Sequence, residues 1–263
     1  MKKYLVVGNP IKHSLSPRLH NYWIKKNNIE AEYDKKKVEN NELQDLINKI
    51  KDKEINGINV TVPFKKEIIP FLEKLSPEAK DTQSVNTIYL DSNLVVGHNT
   101  DIKGFELAIK DTKYDVKEKN VFILGAGGVV PSIIFALNTM KASSITISNR
   151  TQSKAENLKN LFKNLKTINW GKLPDFDMII NATSIGLDSK DKINIDFSKQ
   201  NKNKFFFDVI YNPKETNFLK TAKSLGNDTA NGKKMFIYQA AEAFKIWHGI
   251  QPETNQEVDE LLD

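Results

Sequence analysis

"NVFILGAGGVVPSIIFAL", residues 120–137, decides the fold. Four consecutive apolar residues, Val121 to Leu124, run into Gly125-Ala126-Gly127-Gly128, and an apolar segment of helical length follows. A short buried strand, a glycine turn and a helix, in that order, form the first half of a βαβ unit. Glycines allow the turn to tighten and allow a pyrophosphate to approach the backbone. The helix that follows turns its free N–H groups and positive dipole end toward that phosphate. Val130 takes the place of the pattern's third glycine, so helix and strand are expected to sit slightly further apart. Pro131 suits a first helical turn.

A glycine turn by itself also fits a plain βα connection, so the next strand has to discriminate. "SITIS", 144–148, ends in Asn149-Arg150-Thr151, with Lys154 one turn on. An NAD site commonly places a carboxylate here for the ribose hydroxyls. This chain offers two cations instead. Arg150 and Lys154 suit a 2′-phosphate, and Thr151 can donate a hydroxyl hydrogen bond beside them. The expected cofactor is therefore NADP(H). "DMIINATS" and "KFFFDVIY" read as two further strands. The expected fold class is α/β, with residues 102–236 forming a Rossmann-like, doubly wound NADP-binding domain.

Working outward toward the N-terminus, strand and helix patterns alternate again. "YLVVGNP" (4–10), "AEYDKKKV", "GINVTVPF" and the pair "SVNTIYL"/"NLVVGHNTD" read as strands, the last two as a hairpin joined by Asp91-Ser92-Asn93. "SPRLHNYWIKKNNI" reads as a helix with Pro17 in its first turn, "NNELQDLINKIKDKEI" as an amphipathic helix with an Asn cap, and "KKEIIPFLEKLSPEAK" as helical and broken by prolines. This alternation predicts a second α/β domain with a mainly parallel sheet. "MFIYQAAEAFKIWHGI" is a strong amphipathic helix, expected to return to that domain. The expected boundaries are 1–101 plus 237–263 for a substrate domain and 102–236 for the cofactor domain, with a cleft between them.

The chemistry-bearing residues of the first domain cluster where strands end: Ser14, Ser16, Asn59, Thr61, Lys65, Asn86, Thr100 and Asp101. In open α/β sheets that edge binds ligands. The set is rich in hydroxyls and amides, with one cation and one anion, and suits a small polyhydroxylated acid. Individually each has a structural reading, Ser16-Pro17 as a helix cap and Asn86 as a turn residue.

The 263 residues suffice for two modest domains. There is no cysteine, which excludes disulfides, thiolate metal sites and cysteine nucleophiles. The four histidines, His13, His20, His98 and His248, are not spaced as metal ligands, so no metal is expected. The apolar run after Lys2-Lys3 stops at Gly8-Asn9-Pro10, too short for a signal-peptide core, and nothing approaches a membrane-spanning length. A cytoplasmic protein without a membrane partner is expected. The net charge of +6 comes from scattered lysine clusters, such as 35–37 and "KQNKNK" at 199–204, that read as solvated faces. No nucleic-acid-binding signature accompanies them.

Taken together, "GNPIKHSLSPRLHN", "GINVTVPFK", "VNT", "NTD", "GAGG", "NRT", "NATSIG", "DVIYNPKET" and "NGKKMFIYQAAEAFKIWHG" closely resemble the shikimate dehydrogenase family, in family order from residue 8 to residue 249. The resemblance implies NADPH-dependent reversible reduction of 3-dehydroshikimate to shikimate, in chorismate and aromatic amino acid biosynthesis. It implies that Lys65 and Asp101 are catalytic. It implies that Ser14 and Ser16, helped by Tyr211, bind the substrate carboxylate, while Thr61, Asn86 and Gln239 hold ring hydroxyls. It places cofactor contacts at Gly125, Ala126, Gly127, Gly128, Val129, Asn149, Arg150, Thr151, Lys154, Val209 and Gly232. Departures from the common family pattern are Gln83-Ser84, Val129-Val130 and Leu187, none of which removes a chemical group. Three other readings compete. A quinate- or NAD-preferring relative conflicts with Ser14, Ser16 and Arg150. A non-catalytic NADP sensor conflicts with the presence of both Lys65 and Asp101. A nucleic-acid-binding protein has only charge behind it. The expected partner is a small-molecule substrate, and the expected assembly a monomer or homodimer.

Overall fold

The computed structural model describes residues 1–198 and 202–263, so half of the basic cluster at 199–204 lies outside the described residues. The chain divides into two compact units. The first comprises Met1–Gly104 with Ile237–Asp263, and the second Phe105–Phe236.

The first unit contains strands β1 (Lys2–Gly8), β2 (Ala31–Lys37), β3 (Gly57–Val60), β4 (Lys74–Leu75), β5 (Thr87–Asp91) and β6 (Leu94–His98). Helices α1 (Ser16–Lys26), α2 (Leu43–Lys51) and α3 (Pro77–Thr82) connect them, and α4 (Asp101–Asp111) begins in this unit. The strands form one sheet in the order β2-β1-β3-β5-β6-β4. The sheet is mainly parallel, as expected, with one antiparallel strand. β1 pairs in parallel with β2 and β3, and β4 with β6, while β5 runs antiparallel to both β3 and β6. The β5–β6 hairpin turns the chain back after β5. Its turn residues Ser92 and Asn93 both adopt positive φ, 50° and 65°, the conformation whose twist matches a two-residue hairpin.

Three expectations are corrected here. β3 stops at Val60, so Thr61 and Lys65 lie in the loop beyond it. Residues 65–80 are not one broken helix but turns, the short strand β4, and α3, which is capped by the Ser76 hydroxyl accepting from Ala79 N at 3.2 Å. The α2 region has no Asn cap. Glu39 and Glu42 form a reciprocal capping box around a 3₁₀ turn at Asn40–Glu42, with Glu39 N donating to Glu42 Oε2 at 2.7 Å.

The second unit holds β7 (Asn120–Leu124), β8 (Ser144–Ser148), β9 (Lys166–Ile168), β10 (Met178–Asn181), β11 (Phe205–Asp208) and β12 (Asp228–Asn231), with helices α5 (Val130–Thr139), α6 (Gln152–Leu158) and α7 (Asn217–Ser224). Its sheet runs β12-β11-β10-β7-β8-β9, and all five pairings are parallel. Numbered within the unit, that is the doubly wound 3-2-1-4-5-6 order, with the reversal between β7 and β10. Both central strands are apolar apart from Asn120 and Asn181 at their ends, as in a parallel sheet buried on both faces. The core on one face includes Phe122, Phe176, Phe206 and Phe218, with Trp170 packed against its margin. β9 and β12 escaped the sequence reading. They are the sheet's two edges, three and four residues long, and polar, as exposed edges tend to be.

Helix α8 (Lys233–His248) begins in the second unit and continues in the first; α9 (Gln256–Leu261) follows. The later turns of α8 enter an aromatic cluster. Trp247 packs on Tyr4 with centroids 4.9 Å apart, and Phe244 lies 5.6 Å from Trp23. Among the described residues, no helix is long and apolar enough to cross a membrane.

Candidate active site and cofactor cradle

Strand direction brings the first unit's chemistry to one edge. β1, β3 and β6 end there, and antiparallel β5 begins there, with Thr87 opposite both Asn59 and His98. Four segments therefore converge: 9–16 after β1, 61–65 after β3, Asn86 before β5, and 99–101 after β6. Backbone bonds lock the loops together, Asn9 N to Val62 O at 2.9 Å and Val85 N to Lys65 O at 2.8 Å.

At the centre, Lys65 Nζ is ion-paired and hydrogen-bonded to Asp101 Oδ2. Lys65 is 8% exposed and Asp101 5%. Burying two charges is costly unless each is fully satisfied. Here the second carboxylate oxygen accepts from Asn86 Nδ2 at 2.9 Å, and Asp101 N donates to Asn99 Oδ1 at 3.1 Å. Asn86 Oδ1 in turn accepts from Thr100 N at 2.8 Å. Asn86 Nδ2 also reaches Gln239 Oε1 at 3.4 Å, so α8 contributes a group to this cluster.

The network extends through Asn59, already in the candidate set, to Tyr33, which the sequence did not single out. The Tyr33 O–H, with Ser16 beside it, donates to Asn59 Oδ1 at 2.6 Å. Asn59 Nδ2 then donates to Asn86 O at 3.0 Å and Thr87 Oγ1 at 3.1 Å. Burial pushes the Tyr33 phenol well above its usual pKa, so it stays a neutral donor. Ser14 accepts from Ser16 N at 3.3 Å through its hydroxyl oxygen. Thus Tyr33, Asn59, Asn86, Lys65, Asp101 and Gln239 join one hydrogen-bonded system, and the Ser14–Ser16 pair lies beside it. Thr61 is partly exposed on the loop beside it. No periodicity announces Tyr33; it lies in a lysine-rich strand, and only the pairing of β2 with β1 aligns it with Tyr4.

Tyr211 belongs to the second unit. It lies in the loop after β11, where its ring stacks on Phe236 at 4.7 Å and burial raises its pKa to about 12. That loop is anchored by buried Asp208, which accepts from Thr216 Oγ1 at 2.6 Å, Ile210 N at 3.0 Å and Asn181 Nδ2 at 3.1 Å.

In the second unit the glycine turn forms as the sequence implied. Gly125 has φ +108°, and a Cβ there would stand 2.6 Å from Ala182 O. A Cβ at Gly127 would meet nothing within 4 Å, which leaves the backbone open to a ligand. A cavity of about 230 Å³ adjoins it, lined by Gly125, Ala126, Gly127, Asn149, Arg150, Thr151, Lys154, Trp170, Ala182, Thr183 and Ser184. The lining contains two cations and no carboxylate. Among the described residues neither Arg150 nor Lys154 has an ion-pair partner, and α6 has no acidic residue in its first turn. That donor set fits a pyrophosphate and a ribose 2′-phosphate. Gly128 and Val129 continue the turn outside this lining. Val209 and Gly232 meet each other instead: a Cβ on Gly232 would stand 2.0 Å from Val209 O.

A phosphate-binding βα turn with a cationic rim in one unit, and a buried ammonium–carboxylate pair among hydroxyls and amides in the other, define a nicotinamide-dependent oxidoreductase of small polar substrates. Comparison with known proteins is consistent and narrower. Residues 6–88 match the shikimate dehydrogenase substrate binding domain, 106–220 the shikimate/quinate 5-dehydrogenase family, and 234–256 the shikimate 5′-dehydrogenase C-terminal domain. The chain is 58% identical to the shikimate dehydrogenase (NADP(+)) of Pelagibacter ubique, covering 100% of this chain and 99% of that one. The crystal structure of the Aquifex aeolicus shikimate dehydrogenase superposes with a TM-score of 0.92 at 36% identity, covering 100% and 97% of the two chains. The Thermus thermophilus shikimate 5-dehydrogenase, solved in complex with NADP(H) and shikimate, gives 0.90 at 29% identity, covering 99% and 98%. The chain belongs to the shikimate dehydrogenase family. It is an enzyme, an oxidoreductase, and its cofactor is NADP(H).

Proposed function

We propose that the protein interconverts 3-dehydroshikimate and shikimate with NADPH and NADP⁺, within the synthesis of chorismate and aromatic amino acids. The buried Lys65–Asp101 pair at the ligand-binding edge of the first sheet carries this reading. Residues 1–101 with 237–263 serve as the substrate domain, and 102–236 as the cofactor domain.

Nicotinamide, when bound, supplies or takes the hydride. Hydride addition to a ketone leaves an alkoxide that needs a proton. The Lys65 ammonium stabilises the developing oxygen charge and donates that proton; in the reverse direction the amine accepts it. Asp101 holds Lys65 in place, and Asn86 and Asn99 hold Asp101. Ser14, Ser16 and Tyr211 take the substrate carboxylate through hydroxyl donors. Thr61, Asn86 and Gln239 take the ring hydroxyls. Gly125 to Val129, with Val209 and Gly232, shape the cofactor's backbone contacts. Arg150 and Lys154, with Asn149 and Thr151, bind the 2′-phosphate.

Shikimate-dependent reduction of NADP⁺, followed by NADPH absorbance, tests the proposal. Turnover is expected with shikimate and NADP⁺, and weaker rates with quinate or NAD⁺. Lys65→Ala should lower kcat by roughly 10²–10⁴-fold while NADP⁺ still binds. A folded Lys65→Ala variant with unchanged kcat removes the assigned role.

A further inference from the structure

Trp170 stands in the cofactor cavity without a part in phosphate binding. It lies two residues beyond β9, packs at the margin of the aromatic core that includes Phe122 and Phe176, and still lines the cavity shared by the glycine turn, Arg150 and Lys154. Strand order fixes the sequence of subsites along this edge. The pyrophosphate turn follows β7, the cationic rim follows β8, and Trp170 follows β9, the next strand in the sheet. Neighbouring strands are about 4.8 Å apart, so β7 and β9 are separated by roughly 10 Å. An adenosine 2′-phosphate leads in the same direction from pyrophosphate through ribose to base. A flat aromatic ring is the surface on which an adenine stacks.

We infer that Trp170 is the face that binds the adenine of the cofactor, making the loop after β9 an adenine subsite. The inference rests on the NADP reading of this cavity. Arg150 marks the ribose phosphate, and Trp170 marks the base.

The protein carries its own reporter. It has three tryptophans, and Trp23 and Trp247 belong to the first unit. Adenosine 2′,5′-bisphosphate, which holds the adenine and both phosphates but no nicotinamide, should change tryptophan emission saturably. Nicotinamide mononucleotide should not. Trp170→Phe should abolish the emission change yet bind the bisphosphate within about threefold of wild type by calorimetry. Trp170→Ala should weaken bisphosphate and NADP⁺ binding roughly ten- to a hundredfold. Trp170→Leu, which keeps apolar bulk against the core without a flat face, should weaken both similarly and decides the matter should the alanine variant unfold. Wild-type affinity in the folded Leu variant overturns the inference and leaves the NADP reading intact. Failure of wild-type protein to bind either NADP⁺ or the bisphosphate overturns both.

Discussion

Tyr33 shows how a side chain from another strand holds a site residue in place. Its phenol donates to Asn59, which in turn bonds Thr87 and the carbonyl of Asn86. Tyr33→Phe leaves Asn59 Oδ1 buried without this donor, at a cost of about 1–3 kcal/mol. The expected result is a lowered urea midpoint and a KM for shikimate raised five- to thirtyfold, with kcat changed less. An unchanged KM would separate the network from substrate binding. Arg150 is the matching case in the cofactor cradle. Arg150→Ala should raise the KM for NADP⁺ at least tenfold and leave the KM for NAD⁺ nearly unchanged, because only NADP⁺ carries the 2′-phosphate. Equal losses for both cofactors would place Arg150 elsewhere. Both Arg150 and the Lys65–Asp101 set were legible in the sequence, because each follows a recognisable strand and carries a charge. Tyr33 was not, since nothing local distinguishes it from any strand tyrosine.

Elements explain why the legible residues converge. β1, β3 and β6 deliver loops to one edge, and antiparallel β5 brings Asn86 there by its start instead of its end. The expectation of strand-end residues on that edge of a mainly parallel sheet holds for every strand but β5, which runs against β3 and turns back into β6 at Ser92-Asn93. It also extended the third strand through Thr61, where the ladder ends at Val60. The edge strands β9 and β12 were invisible for a different reason: their polar, short segments lack the apolar run that marks a central strand. At the start of α8, Gly232 abuts the loop after β11. Gly232→Ala places a methyl group 2.0 Å from Val209 O, a contact that backbone on both sides must yield to relieve. A loss of about 2–4 kcal/mol in thermal stability is expected, together with weaker NADP⁺ binding by calorimetry. A melting temperature within a degree of wild type would show that the two segments part easily.

At the scale of the molecule, the first unit buries histidines that stay neutral. His20 lies stacked on Tyr33 at 4.1 Å, near Trp23, Phe244 and Trp247, and its two ring nitrogens have no hydrogen-bond partner. Burial, with His248 nearby, lowers its pKa to about 3; burial and Lys2 lower that of His248 to about 4. The unfolded chain takes up these protons near pH 6.5, so their contribution is complete above that value and declines as pH falls toward 4 and 3. His20 alone removes about 2 kcal/mol between pH 6.5 and 5. Urea midpoints should fall steadily over that range, and His20→Phe should flatten the slope; an equally steep variant would assign the acid sensitivity to other groups. The sequence by itself determined the two α/β units, the glycine turn, the NADP preference and the charges of Lys65 and Asp101 at strand ends, because strand period, turn chemistry and local charge are written in neighbouring residues. Only the tertiary structure decided the antiparallel β3–β5 pairing, the edge strands, the Tyr33–Asn59 link, the joining of Gln239 to Asn86 and the place of Trp170 in the cofactor cavity. Each of these is a pairing between residues distant in the chain, set by sheet order and side-chain packing, and no local pattern encodes it.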